Sequence, residues 1–260
     1  MIFNLVRPWA IISGGGRGLG KALCLHFAQA GFNIFTFGRD SAALEGLKTA
    51  LTQNHVDCLV LRCDLSQAAD VDLLCAKIKQ LDQPQVLIHN AAERCQSFAQ
   101  DLSLKALQNA WTVGVGAPVQ ITQTVLPEFM KHGSGCVVFV GSVFGLIGAA
   151  EHAGYAAVKF AQNGLAQSMG YEFREKGYPI RVYAFNPGGM NTRMHGPVTR
   201  DTLTTEAIAE RIFKLCQEQY PWIPSGDSVA YVSQQWRGRL WFELRMLRRR
   251  LRSLCYQLIH

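Results

Sequence analysis

The sequence predicts a doubly wound α/β fold, with one parallel sheet covered by helices on both faces. Three observations carry that expectation. Short apolar runs alternate with amphipathic stretches through the first 190 residues, which is the pattern of strand–helix repeats. The runs are apolar at nearly every position, as strands buried on both faces are. A glycine-rich turn stands between the first run and the first helical stretch. The chain has 260 residues, 48% of them hydrophobic and 17% charged. That is ample apolar content for a core, at a length that a single α/β domain reaches. The expected division is one domain over 1–235 and a basic amphipathic helix over 236–260.

Taken in order, Trp9 to Ser13 reads as a buried strand, followed by the glycine turn and a helix through Lys21 to Ala30. Asn33 to Phe37 is the second strand. Ser41 is expected to cap a helix running to about Asn54, although Asp40 offers the same capping chemistry. Cys58 to Cys63 is the third strand, with Asp64 just beyond it. Val86 to His89 is the fourth, ending at Asn90; Cys136 to Val140 is the fifth and Ile180 to Phe185 the sixth. Helical patterns fill the gaps. After Pro187 the alternation stops, and Gly188, Gly189, Gly196 and Pro197 mark an irregular loop. A helix follows at about Thr205 to Gln219, then a turn (Pro221, Pro224, Gly226), a short apolar run at Val229 to Val232, and the tail.

Several function classes are set aside. No apolar run reaches the ~18–20 residues of a membrane-spanning helix. Met1 to Ile12 lacks the long apolar core and cleavage site of a secretory signal, so a cytoplasmic location is expected. The eight cysteines form no Cys-x-x-Cys pair and share no zinc spacing with histidine. Reduced thiols packed as small hydrophobes are expected, with no metal and no disulfide framework. The net charge is +7, but residues 236–260 hold seven arginines and one acid, which leaves the first 235 residues at only +1. Nucleic-acid binding is therefore not expected.

The turn itself is Ser13-Gly14-Gly15-Gly16-Arg17-Gly18-Leu19-Gly20. Glycines here let the backbone turn sharply and approach a pyrophosphate, and the following helix offers free N–H groups and the positive end of its dipole. This is the Rossmann-like, dinucleotide-binding arrangement. An acid at the end of the second strand would bind the adenosine 2′-hydroxyl of NAD. Gly38 stands there instead, followed by Arg39. With Arg17, Arg39 can make charge-assisted hydrogen bonds to a 2′-phosphate, so NADP(H) is preferred over NAD(H). The alternative makes both arginines solvated surface residues, and Asp40 weighs against the phosphate.

These motifs, in this order, resemble the short-chain dehydrogenase/reductase family over about residues 8–192. Ser13-Gly14-x-x-x-Gly18-x-Gly20 is similar to the family's Thr-Gly-x-x-x-Gly-x-Gly, with Ser for Thr. Asp64-Leu65 matches the residues that meet the adenine ring. Asn90-Ala91-Ala92 matches Asn-Ala-Gly after the fourth strand. Ser142 follows the fifth strand, and Tyr155-x-x-x-Lys159 begins thirteen residues later. Pro187-Gly188 and Thr192 match the loop that holds the nicotinamide carboxamide. The resemblance implies a nicotinamide-dependent enzyme that interconverts a carbonyl and a secondary alcohol, with Ser142, Tyr155 and Lys159 catalytic; with the reading of Arg17 and Arg39, the expected cofactor is NADPH. It implies cofactor contacts from Ser13, Gly14, Gly16, Arg17, Gly18, Leu19, Gly20, Arg39, Asp64, Leu65, Asn90, Ala91, Ala92, Tyr155, Lys159, Pro187, Gly188 and Thr192. A small-molecule partner and a homodimer or other homo-oligomer are expected with it.

The chemistry of the residues agrees. Tyr155 and Lys159 lie four apart on a helix and share a face. A tyrosine near pKa ~10 is a poor acid or base at neutral pH; a nearby ammonium is expected to lower that value. Lys159 can bond the nicotinamide ribose, Ser142 can donate to the carbonyl oxygen, and Tyr155 can supply the proton.

Two departures from the family stand out. Gly114 occupies the place of an Asn which, in the family, holds a water that passes protons to the lysine. This motivates an alternative reading, a cofactor-binding sensor or scaffold with little turnover. Glu93-Arg94 follows Asn90-Ala91-Ala92, where the acid either disfavours anionic substrates or is simply solvated. Residues 93–98, 143–152 and 189–235 are expected to set the substrate. In the tail, Leu240, Leu244, Leu247, Leu251, Leu254 and Leu258 form one apolar stripe. That helix suits either peripheral contact with an anionic membrane surface or packing on protein. A hydrophobic or lipidic substrate is the matching expectation.

Overall fold

The computed structural model describes residues 7–187 and 203–217. Six parallel strands form one sheet: β1 (Trp9–Ser13), β2 (Asn33–Gly38), β3 (Cys58–Arg62), β4 (Pro84–His89), β5 (Gly135–Val140) and β6 (Ile180–Phe185). Their order is β3-β2-β1-β4-β5-β6. Every pairing is parallel. The helices are α1 (Gly18–Gln29), α2 (Ser41–Leu51), α3 (Ala68–Ile78), α4 (Leu104–Trp111), α5 (Ala117–Lys131), α6 (Ala153–Glu175) and α7 (Thr205–Gln217). A wide π turn, Thr112–Gly116, joins α4 to α5 without a break. The direction in which successive strands are added reverses between β1 and β4, and the crevice at the carboxyl ends of these two strands is where such a sheet takes ligands.

Alternate residues of the strands enter two cores. Ile11, Phe35, Leu87, Val137 and Phe139 face one layer with Ile121, Val125 and Phe173. Ile12, Ile34, Ile88, Val138 and Phe185 face the other with Leu23, Phe27 and Ile212. β1 and β5 are buried at every position. β3, at one edge of the sheet, is the exception to the expected continuous burial: its residues are half-buried or exposed, whereas β6, at the other edge, is buried everywhere but at Arg181. His89, at the end of β4, is fully enclosed. Its Nε2 lies 2.9 Å from Thr122 Oγ1 and its ring 4.8 Å from that of Phe139. Burial pulls its pKa down to about 3, so it stays neutral.

Asp40, not Ser41, caps α2: its carboxylate accepts from the Ala43 N–H at 2.9 Å. The seven cysteines among the described residues are free. Among the described residues no helix is long and apolar enough to cross a membrane, and no cluster of metal-ligating side chains occurs. Gly188, Thr192 and the tail helix fall outside the described residues.

Candidate active site

The glycine turn leaves β1 with Gly14 at φ +74° and Gly18 at φ +51°, a region glycine enters without steric cost. A Cβ on Gly20 would lie 2.0 Å from the Gly14 carbonyl oxygen, so α1 approaches the turn this closely only because it has none. Arg17, at the N-cap of α1, makes no side-chain hydrogen bond to the helix, and the first turn carries no acid. The positive end of α1 is thus left to an anion, which suits the pyrophosphate of a dinucleotide. Several other residues expected at the cofactor have side chains committed to the fold. The Ser13 hydroxyl accepts from the Asn90 and Ala91 N–H groups at 2.8 and 2.9 Å. Asn90 Nδ2 donates to the Ser13 carbonyl at 2.9 Å. Together they pin β1 to β4. Leu19 and Leu65 are core residues.

At the far end of the crevice the arginines are not merely solvated. Arg17 pairs with Asp40, and Arg39 Nη1 lies 3.1 Å from Glu93. Asp40 sits below the usual carboxylate range, mainly through the Ala43 N–H and also through Arg17. Asp64 is lowered mainly by the Ser66 N–H; it also accepts from Ser66 Oγ at 2.8 Å. Gly38, at the end of β2, presents no carboxylate to this surface.

The catalytic candidates meet at the carboxyl end of β5. The Ser142 N–H donates to Asn186 Oδ1 at 2.9 Å, Asn186 Nδ2 donates to Asn163 Oδ1 at 3.0 Å, and Asn163 Nδ2 donates to the Gly145 carbonyl at 2.8 Å. A Cβ on Gly141 would fall 2.0 Å from Asn186 Oδ1; glycine keeps that bridge open. The Ser142 side chain stands close enough to the Tyr155 phenol to favour its anion. One helical turn on, Lys159 Nζ lies 5.6 Å from the Tyr155 ring centroid. It donates to the Val140 carbonyl at 2.7 Å and to Gln162 Oε1 at 3.0 Å. Pro187 follows Asn186 and is buried.

Ser142, Tyr155 and Lys159 therefore come together as expected, but the electrostatics correct one expectation. Burial pushes the Tyr155 pKa up, with the Ser142 side chain opposing it. Burial also pulls Lys159 down to about 7. With no ligand present, removing water from both groups disfavours both ions, and the phenol keeps its proton.

Asn163, Asn186 and Gln162 escape a motif reading. The available signal is helical spacing: Tyr155, Lys159, Gln162, Asn163 and Ala166 lie on one stripe of α6, which makes Gln162 and Asn163 polar groups on a buried face. Gly114 sits in the π turn, where its carbonyl accepts from Gln162 Nε2 at 2.7 Å. A Cβ there would fall 2.4 Å from Val158 Cγ1, so no larger residue enters without moving Val158. Beside Tyr155, the Phe144 ring lies at 6.3 Å and edge-on, and it packs on His152 at 4.3 Å. Ile147 is exposed eight residues before Tyr155, and Phe98 is exposed next to Ser97, which pairs with His152.

The family model for the short chain dehydrogenases matches residues 8–203. The chain belongs to the short-chain dehydrogenase family. As a member it is an NAD(P)-dependent oxidoreductase. A curated relative, the dehydrogenase/reductase SDR family protein 7-like of Drosophila melanogaster, is 27% identical over 246 residues, 86% of this chain and 74% of its own. A 2,5-dichloro-2,5-cyclohexadiene-1,4-diol dehydrogenase from Sphingobium indicum is 26% identical over 204 residues, 78% of this chain and 81% of its own. Among solved structures, a short-chain dehydrogenase from Sphingobium yanoikuyae in complex with NADPH superposes with a TM-score of 0.77 at 22% identity, covering 95% of each chain. That likeness establishes the fold.

Proposed function

We propose that this short-chain dehydrogenase interconverts a carbonyl and a secondary alcohol with NADP(H) preferred over NAD(H), using Ser142, Tyr155 and Lys159. The observation that carries the reading is the convergence of these three side chains at the carboxyl end of β5, with Ser142 acting on the Tyr155 phenol and Lys159 Nζ 5.6 Å from its ring one helical turn on. The cofactor site fits the residues present: α1 offers an uncapped N-terminus behind a turn that only glycines permit. When bound, the nicotinamide supplies hydride.

The chain's own residues do the rest. Ser142 donates to the substrate oxygen and holds it against the phenol. Tyr155, protonated in the free protein, delivers its proton to that oxygen as hydride reaches carbon. Lys159 would hold the nicotinamide ribose and, when it carries its proton, would steady the phenolate left once Tyr155 has given its own. Arg17 and Arg39 are the residues that would meet a 2′-phosphate, exchanging their carboxylate partners Asp40 and Glu93 for it. Phe144, Ile147 and Phe98 support a hydrophobic substrate, since they place apolar surface around Tyr155 and in the segments flanking it. The bond from Gln162 to the Gly114 carbonyl favours an enzyme over a sensor or scaffold, because Lys159 is held in place without an Asn at 114.

The test is a screen of ketones and alcohols with NADPH and NADH, followed by Tyr155→Phe on the substrate found. Turnover is expected to fall ~10²–10⁴-fold. Cofactor affinity is expected to stay within about two-fold of the parent's. Undiminished turnover removes the mechanism, and tighter binding of NADH than NADPH removes the reading of the arginines.

A further inference from the structure

A buried ammonium must find acceptors, because burial strips it of water. Lys159 is 2% exposed and has three N–H donors. The Val140 carbonyl takes one at 2.7 Å and Gln162 Oε1 takes another at 3.0 Å. Gln162 is itself 1% exposed, and its other end donates to the Gly114 carbonyl at 2.7 Å. The ammonium only donates and the carbonyl only accepts. A neutral group joining them must accept at one end and donate at the other, which a primary amide does. The partners also decide which end of the amide is oxygen.

We propose that Gln162 is a positioning residue for Lys159, its amide tying the lysine ammonium to the Gly114 carbonyl and so fixing the amine over Tyr155. The proposal rests on the Ser142–Tyr155–Lys159 reading and deepens it. Positions 114 and 162 act as a pair. A side chain at 114 would meet Val158 at 2.4 Å and Gln162 Nε2 at 3.6 Å; glycine leaves the carbonyl open, and Gln162 supplies the reach. The amide holds the amine without passing protons, since it carries no acidic proton at neutral pH. Tyr155 is the titratable group facing Lys159, and burial is the cause of the Lys159 shift, with no acid contributing among the described residues.

The test uses the full chain labelled with ¹³C at lysine Cε, which needs no substrate. The resonance missing from Lys159→Met is followed with pH; its midpoint is expected near 7. Gln162→Leu keeps the bulk and removes the acceptor, and it is expected to lower that midpoint by about one unit. Gln162→Glu places a carboxylate there and is expected to raise it by about as much. Once a substrate is known, the limb of the turnover profile set by Lys159 moves the same way in each variant. Loss of packing alone does not send two substitutions at one position in opposite directions. Midpoints of both folded variants within roughly 0.2 units of the parent's overturn the proposal. If Gln162→Leu does not fold, Gln162→Glu decides alone: an unshifted or lowered midpoint overturns it. Retained turnover in Tyr155→Phe sinks the catalytic reading but leaves this titration standing, so the two failures are told apart.

Discussion

Arg39 and Glu93 meet with 61% and 32% of their side chains exposed, whereas Lys159 and Gln162 meet at 2% and 1% exposure. The two ends of the crevice thus use polar groups in opposite ways. Where the adenosine of a dinucleotide is expected, the charges stand in water, pair with nearby acids, and contribute about 0–1 kcal/mol per pair to the fold. They are free to exchange a carboxylate for a phosphate. Where the chemistry is expected, Ser142, Asn186 and half-buried Asn163 form one hydrogen-bonded chain and buried Lys159 and Gln162 another, and an unpaired member there costs more. On the proposed reading, cofactor choice would rest on replaceable surface charge, and reaction geometry on buried hydrogen bonds.

At neutral pH the largest loss of stability expected from breaking that contrast is at Asn186. Asn186→Leu leaves the Ser142 N–H without its acceptor and Asn163 Oδ1 without its donor. Calorimetry is expected to show a loss of about 1–3 kcal/mol, and turnover is expected to fall with it. A melting temperature equal to the parent's would mean that the network is not needed for the fold.

Acid is the next lever. His89 is neutral in the fold down to about 3, against an ordinary value of 6.5. Its folded pKa is depressed, so protons bind the unfolded chain first. Its stability contribution is full above 6.5 and is lost progressively as pH falls toward 3, at about 1.4 kcal/mol per pH unit. Denaturant midpoints for the parent and for His89→Gln, measured from pH 7 downward, test this; parallel curves would refute it.

The smallest effect on stability belongs to the exposed end. Arg39→Ala is expected to change stability by no more than about 1 kcal/mol. NADPH affinity is expected to drop about ten-fold, with NADH affinity unmoved. Equal weakening of both in a fluorescence titration would show that Arg39 does not read the phosphate.

Much of this was legible in the residues. The strands announce themselves because a sheet covered on both faces demands apolar side chains at nearly every position, and β3 departs because its edge is left uncovered while that of β6 is not. Ser142, Tyr155 and Lys159 are readable because their types, order and spacing resemble those of the family. Other features depend on what faces a residue across the fold. Ser13 looks like part of a phosphate turn, yet its hydroxyl is consumed by two N–H groups of the neighbouring strand's end. Asp40 rather than Ser41 caps α2, a choice between adjacent residues that backbone geometry alone makes. Gly114 reads as the loss of a side chain; only its distance from Val158 and its bond to Gln162 show why glycine stands there. The Arg39 partner, Glu93, lies beyond a different strand, and no local pattern links them.

The π turn at Thr112–Gly116 has a structural consequence of its own. It places an additional residue within a continuous helical rod from α4 to α5. Removing one residue from that turn would restore regular winding but swing everything ahead of it by about 100° around the axis. Trp111 and Leu104, now turned outward, would be carried to another side of the rod, and Ala110, now enclosed, would rotate out of its seat. The bulge thus acts as a phase setting between two faces of one rod, and it admits substitution more readily than deletion.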